Sequence, residues 1–185
     1  VGVWARRSEL PSKIRDWRGR FDATPPDVEA GRYLAEAYLR QRPRVAEEAE
    51  AVLRRITELE PGDVESLKAL ERAHTARGDL AGAIDVLRRL VAADPRHAAS
   101  YLQRMASHAH ALYRDSEAVE FAAAAVERAP DDAEGHRRLG ELHRQRQDVE
   151  RAIRSYTRAL EIDDRLFATY FDLAELHLAR GEPAE

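Results

Sequence analysis

A chain of 185 residues that is 44% hydrophobic, 35% charged and only 6% aromatic can bury a core, and it favours long helices under a large polar surface. Its net charge of -4 gives no electrostatic reason to expect nucleic acid or an anionic membrane as partner, and no apolar run is long enough to span a bilayer. Without cysteine there are no disulfides or thiolate metal sites, which suits a reducing compartment and points to the cytoplasm.

In chain order, the opening VGVWARR has neither an initiator Met nor a signal-peptide core and reads as a piece cut from something longer. Residues 1–7 read as the tail of a helix carrying Trp4 on its packing face, and a second helix runs up to a stop at Pro25. Further stops follow at Pro61, Pro95 and Pro130, with Asp164 in the same role, at spacings of 36, 34, 35 and 34. Three columns precede these stops in register. Twelve residues before them stand Lys13, Ala49, Ala83, Ala118 and Ala152; eight before, Trp17, Leu53, Leu87, Ala122 and Tyr156; five before, Arg20, Ile56, Leu90, Ala125 and Ala159. Steps of four and three place the columns on one helical face, with small residues where another helix must come close.

An earlier helix in each unit carries Leu34, Leu70, Met105, Leu139 and Leu173, followed by Ala35, Glu71, Ala106, Gly140 and Ala174. Three residues on come Tyr38, His74, Ala109, His143 and His177. Turns fall at ARGD (76–79) and RQD (146–148), with glycines at 78 and 181. The pattern predicts antiparallel helix pairs at 28–63, 64–98, 99–132 and 133–166, a partial unit at 1–27 and a first helix alone at 167–185. The two extra residues of the first pair fall in the QRPR turn around Pro43.

This repeat resembles the tetratricopeptide repeat. Ala133 to Leu166 carries the fullest match, with Leu139-Gly140, His143, Ala152, Tyr156 and Ala159 at the family's signature spacings. The resemblance implies an all-α fold, a right-handed superhelical solenoid of antiparallel helix pairs. Its first helices would line a concave groove suited to a partner's peptide or helix. Lys13 and Arg20 break otherwise small or apolar columns, so the first partial unit is expected to pack loosely. Glu71 stands where a small residue belongs and is expected to displace its helix pair slightly. Neither end carries a polar cap, so more repeats or another domain are expected beyond both.

Catalytic patterns do not emerge. His74, His143 and His177 share a packing column and read as structural. His108 and His110 are two apart on a helix, so they face differently and do not chelate as a pair. The sequence offers no GxSxG elbow, phosphate-binding glycine loop or GxGxxG, and its carboxylates alternate with arginines as a solvated face. The expectation is no enzyme, no cofactor and no metal. The alanine-rich FAAAAVERA (121–129) reads as a second helix with an unusually small face, with Phe121 swinging in beside Ala122.

Carrying the family's inward columns onto this chain gives Arg32, Lys68, Gln103, Arg137 and Phe171; then Glu36, Arg72, Ser107, Glu141 and Glu175; then Leu39, Thr75, His110, Arg144 and Leu178. Partner-binding candidates are Arg32, Lys68, Arg72, Gln103, His110, Arg137, Arg144 and Phe171, a broken basic ladder matched to an extended acidic segment. The plainer alternative is pairing along the helix, Arg32 with Glu36 and Arg137 with Glu141. The chain contains no asparagine, so the asparagine-based clamps and ladders of the resembled family do not operate here. The expected function is a non-catalytic protein-interaction scaffold. Its rivals are a substrate-positioning region of a larger enzyme or regulator, and a self-assembly module. Only two of the 30 basic residues are lysines, an arginine bias common in GC-rich bacterial genomes.

Overall fold

The computed structural model describes residues 10–40 and 46–181, which form ten α-helices and no strand among them. The expectations for Trp4, for the turn around Pro43 and for the residues after Gly181 fall outside the described residues. The chain divides into two compact units, residues 1–93 and 94–185.

In the first unit, α1 (Leu10–Asp22), α2 (Val28–Arg40), α3 (Ala46–Leu59), α4 (Val64–Ala76) and α5 (Leu80–Ala93) each pack on the next in sequence, and α2 also touches α4. Leu34, Leu53, Ile56, Leu67, Leu70, Ile84, Leu87 and Leu90 form the interior, all essentially inaccessible to water. The second unit begins with a 3-10 turn, Pro95–His97, followed by α6 (Ala98–Ala111), α7 (Asp115–Arg128), α8 (Ala133–Gln145), α9 (Val149–Ile162) and α10 (Phe167–Ala179). Its core is leaner, built around Tyr101, Met105, Leu139 and Tyr156 with many alanines between them. Ala49, Ala83, Ala118 and Ala152 are each 0% exposed, so the small-residue column marks close helix contact.

The turns within the pairs share one hydrogen-bonded form. The N–H groups of Asp79, Arg114 and Asp148 donate to the carbonyls of His74, Ala109 and His143, each at 2.9 Å. This closure needs a left-handed residue just past the helix, and Gly78 supplies it at φ 75°. Tyr113 (φ 58°) and Gln147 (φ 60°) adopt the same conformation with a Cβ. Asp79 then starts α5: its Oδ1 accepts the Gly82 N–H at 2.9 Å and its Oδ2 bonds His74 Nδ1 at 2.8 Å.

The expectation of a loosely packed first helix is overturned. The helix with Lys13 and Arg20 packs firmly, because its core face is carried by Trp17 and Phe21, 5% and 2% exposed. Trp17 stacks on Tyr33 with centroids 5.7 Å apart, while Arg20 points outward onto Asp27. The column count had placed Arg20 inward; a turn defined by Trp17 and Phe21, four residues apart, faces α2 instead.

Glu71 is fully buried and accepts a hydrogen bond from Thr75 Oγ1 at 3.0 Å. His74 and His143 lie inside, at 3% and 7% exposure, and His177 is half-buried. Phe121 packs partly buried against Ala122, Ala106 and Leu139.

Candidate functional site

The first helix of each pair carries the positions expected to meet a partner, and two clefts open there. In the first unit a cleft of about 240 Å³ lies between α2 and α4; Leu53 contributes to its lining and Arg32, Glu36, Glu65 and Arg72 stand around it. In the second unit a cleft of about 190 Å³ lies between α6 and α8. Ala106, Ala122 and Leu142 form its apolar part, and Gln103, Ser107, His110, Arg137, Arg138, Glu141 and Gln145 surround it with Gly135. Of the eight candidates, Arg32 and Arg72 therefore line one cleft, and Gln103, His110 and Arg137 the other. Lys68, Arg144 and Phe171 line neither. On the other side of the first unit a cleft of about 300 Å³ between α3 and α5 is ringed by Arg54, Glu58, Asp85 and Arg89.

The arginines here meet the chain's own carboxylates, but not with the spacing expected. Arg32 reaches from α2 to Asp63 (2.9 Å) and Glu60 (2.5 Å), at the far end of the same helix pair, rather than to Glu36. Glu36 instead takes Arg40 at 3.0 Å and Arg72 of the next first helix at 3.5 Å. Arg137 forms a two-pronged bond to Glu134 three residues earlier (2.8 and 2.6 Å), not to Glu141. Glu141 takes Arg144, Gln145 and the Tyr156 hydroxyl, the last at 3.0 Å. The guanidinium fork reaches back one turn as readily as forward, and long side chains span to the neighbouring helix.

Lys68 pairs with Glu65 at 3.0 Å, His110 faces Asp115 at 3.5 Å and the Gln103 amide donates to Asp132. Phe171 is 74% exposed.

Titration follows this wiring. Burial alone would lift the Glu141 carboxyl, but hydrogen bonds from Arg144, Gln145 and Tyr156 outweigh it and hold the group below the usual carboxylate range. Glu134 is held low chiefly by Arg137. Burial, then the bond to Glu141, pushes the Tyr156 phenol well above its ordinary value. Nothing here separates two carboxyls into an acid and a base, and among the described residues no three His, Asp or Glu side chains converge as a metal site.

Two family models, both described as tetratricopeptide repeat, match residues 46–98 and 133–166. With the helix pairs and their turns they settle the family. The chain belongs to the tetratricopeptide-repeat family. Tetratricopeptide structures resemble it over most of its length. MamA from Desulfovibrio magneticus RS-1 superimposes with a TM-score of 0.63 at 21% identity, covering 84% of this chain and 86% of that one. YrrB, described as a TPR protein with an unusual peptide-binding site, gives a TM-score of 0.62 at 13% identity, covering 93% and 84%. The first TPR domain of Spaghetti (RPAP3), solved bound to an HSP90 peptide, gives 0.55 at 23% identity over 64% of this chain and 96% of its own. No curated protein matches in a sequence comparison. The fold is thus the all-α helix-pair repeat of tetratricopeptide solenoids.

Cleft geometry also brings in residues that sequence reasoning missed: Ala122, Arg138, Leu142 and Gln145. Ala122 was legible from its repeat position, because it shares the column Trp17, Leu53, Leu87, Ala122, Tyr156 with Leu53, which lines the first cleft. The others follow only from how α8 is turned against α6.

Proposed function

We propose that this chain is a non-catalytic protein-interaction scaffold that binds a segment of a partner protein along the first-helix face of its repeats. The observation that carries this reading is the pair of side-chain-lined clefts between successive first helices, each reached by one second-helix residue, Leu53 or Ala122. Two tetratricopeptide relatives are described with a peptide or a peptide-binding site, which supports the same class of partner. The repeats are taken as 28–63, 64–98, 99–132 and 133–166, with partial units at 1–27 and 167–185, in keeping with the helix pairs. A bacterial cytoplasm fits the arginine bias and the lack of cysteine. No helix among the described residues is long and apolar enough to cross a membrane.

An acidic segment would have to displace carboxylates the chain already supplies to Arg32, Lys68, Arg72, Arg137 and Arg144. Exchanging one exposed ion pair for another gains at most about 0.2–1 kcal/mol each, so acidity alone recognises weakly. Selection from a displayed random-peptide library on the purified chain, followed by amide-exchange footprinting of the winners, tests the reading. Winners should protect α2/α4 or α6/α8, and Arg72→Ala with Arg137→Ala should alter affinity about tenfold or less. Failure to enrich any sequence, or a footprint confined to α3, α5, α7 and α9, refutes it.

A second reading has one observation behind it. Phe167, Phe171 and Leu178 are 69%, 74% and 68% exposed and share one face of α10, which favours self-association there. Sedimentation equilibrium at tens of micromolar should then show oligomers that Phe171→Glu disperses, and a monomer throughout excludes it.

A further inference from the structure

We infer that the cleft over Ala122 is an anchor pocket for one bulky, uncharged apolar side chain, Leu, Met or Phe, of the partner segment. This rests on the scaffold reading above and names the chemistry of its contact.

The fold shows what this site lacks. In the next repeat the equivalent position is Tyr156, whose ring lies so close over Gly140 that a Cβ there would meet it at 2.6 Å, and whose hydroxyl reaches Glu141. At 122 the side chain ends at a methyl, on the alanine-rich face of α7, and Ala106 stands opposite. The space that Tyr156 fills over Gly140 and Glu141 stays open over their counterparts Ala106 and Ser107, with Leu142 of α8 bounding it. At the counterpart Leu53 of the first unit, shorter than a tyrosine, a cleft of about 240 Å³ stays open as well.

Size selects the occupant. A cleft of about 190 Å³ falls short of the roughly 300–1,000 Å³ of a small-molecule pocket. An apolar cavity of about 150 Å³ already accepts benzene, so one aromatic or branched side chain fits. Charge selects it too. Arg137 and Arg138 both bond Glu134, while Glu141 is held by Arg144, Gln145 and Tyr156, and Gln103 by Asp132. The mouth thus presents charged groups already engaged within the chain, and neutral dipoles, over an apolar floor. A charged occupant would lose its hydration without gaining an unpaired counter-ion, whereas an apolar one loses nothing.

Capped amino acids test the pocket without knowledge of the partner. N-acetyl-L-leucinamide, N-acetyl-L-phenylalaninamide and the amide of N-acetyl-L-aspartate are titrated into the ¹⁵N-labelled chain. The leucine and phenylalanine probes should shift the amides of Ala106, Ala122 and Leu142 saturably at millimolar concentration, and the aspartate probe should not. Ala122→Phe and Ala122→Tyr each place a ring there from inside, as Tyr156 does in the next repeat. Either folded variant, confirmed by an unchanged helical spectrum, should lose at least tenfold in probe affinity. Absence of saturable shifts at those three residues, equal response to the aspartate probe, or undiminished binding in a folded variant overturns the inference. If the probes fail while library peptides still footprint on the first-helix face, the scaffold stands and only the anchor falls. If the probes bind and no peptide is enriched, the scaffold reading falls and the cleft is a mere void.

Discussion

Replacing Gly140 with alanine sets two physical effects against each other. In a helix interior, alanine is favoured over glycine by about 0.8–1.0 kcal/mol, so propensity alone predicts a more stable protein. Here the new Cβ would stand 2.6, 2.7 and 3.0 Å from Cδ1, Cε1 and Cγ of Tyr156, where ordinary contact begins near 3.4 Å. The ring has little room to retreat, being 0% exposed with its hydroxyl bound to Glu141 at 3.0 Å. Overpacking of this kind costs about 1–3 kcal/mol, so Gly140→Ala should destabilise by roughly 1 kcal/mol net. Gly19→Ala is the control, because its Cβ meets nothing within 4 Å on α1, and it should stabilise by about 0.5–1 kcal/mol. Urea midpoints of the two variants should thus move in opposite directions. In a Tyr156→Leu background, Gly140→Ala should turn stabilising, giving a coupling of about 1–2 kcal/mol in a double-mutant cycle. If Gly140→Ala raises the midpoint as Gly19→Ala does, the close seat of Tyr156 on α8 is wrong.

Tyr113 and Gln147 hold left-handed turns, and Tyr113 is 92% exposed, so Tyr113→Gly relieves backbone strain without losing packing and should raise stability by about 0.5 kcal/mol in thermal melts. Ala152→Leu, at a fully buried helix contact, should cost about 1–3 kcal/mol, and an unchanged denaturation midpoint would contradict the register. Asp79→Ala removes both the cap on Gly82 and the partner of His74, and should cost about 1–2 kcal/mol in urea unfolding, whereas retention of the wild-type midpoint would show the turn closes without it. Burial holds the His143 pKa below its ordinary 6.5, the positive Arg151, Arg146 and Arg154 assist, and Asp148 only partly opposes them. Between the folded and unfolded values the unfolded chain binds the extra proton, so the His143 share of stability is complete above about pH 6.5 and declines as pH falls through the lower folded value. His143→Gln should flatten that decline, and identical pH profiles would place the titration elsewhere.

Much of the fold is written in local signals. Proline stops at near-constant spacing and the apolar columns that precede them mark the helix pairs, because a helix must turn one consistent face inward and end where an N–H is missing. Alanine columns likewise announce close approach, and Ala49, Ala83, Ala118 and Ala152 all lie fully buried. The clefts are less legible. Arg32, Arg72, Gln103, His110 and Arg137 were reachable from repeat position, yet Leu142 and Arg138 line a cleft only through the rotation of α8.

By itself, then, the sequence determined the repeat, the helix pairs and the residue types at each face, since these depend on periodicity within a few turns of one chain. Tertiary structure decided which neighbour each long side chain meets. Arg32 crosses to Asp63 and Glu60, and Arg137 turns back to Glu134, because flexible guanidinium arms can reach several carboxylates at similar energy and only helix placement selects among them. It also decided that Phe21 joins Trp17 on the core face in place of Arg20, and that the first-helix clefts stay open whether Leu53 or Ala122 lies beneath them. Whether such a gap closes depends on how near the surrounding helices can come, which no local pattern encodes.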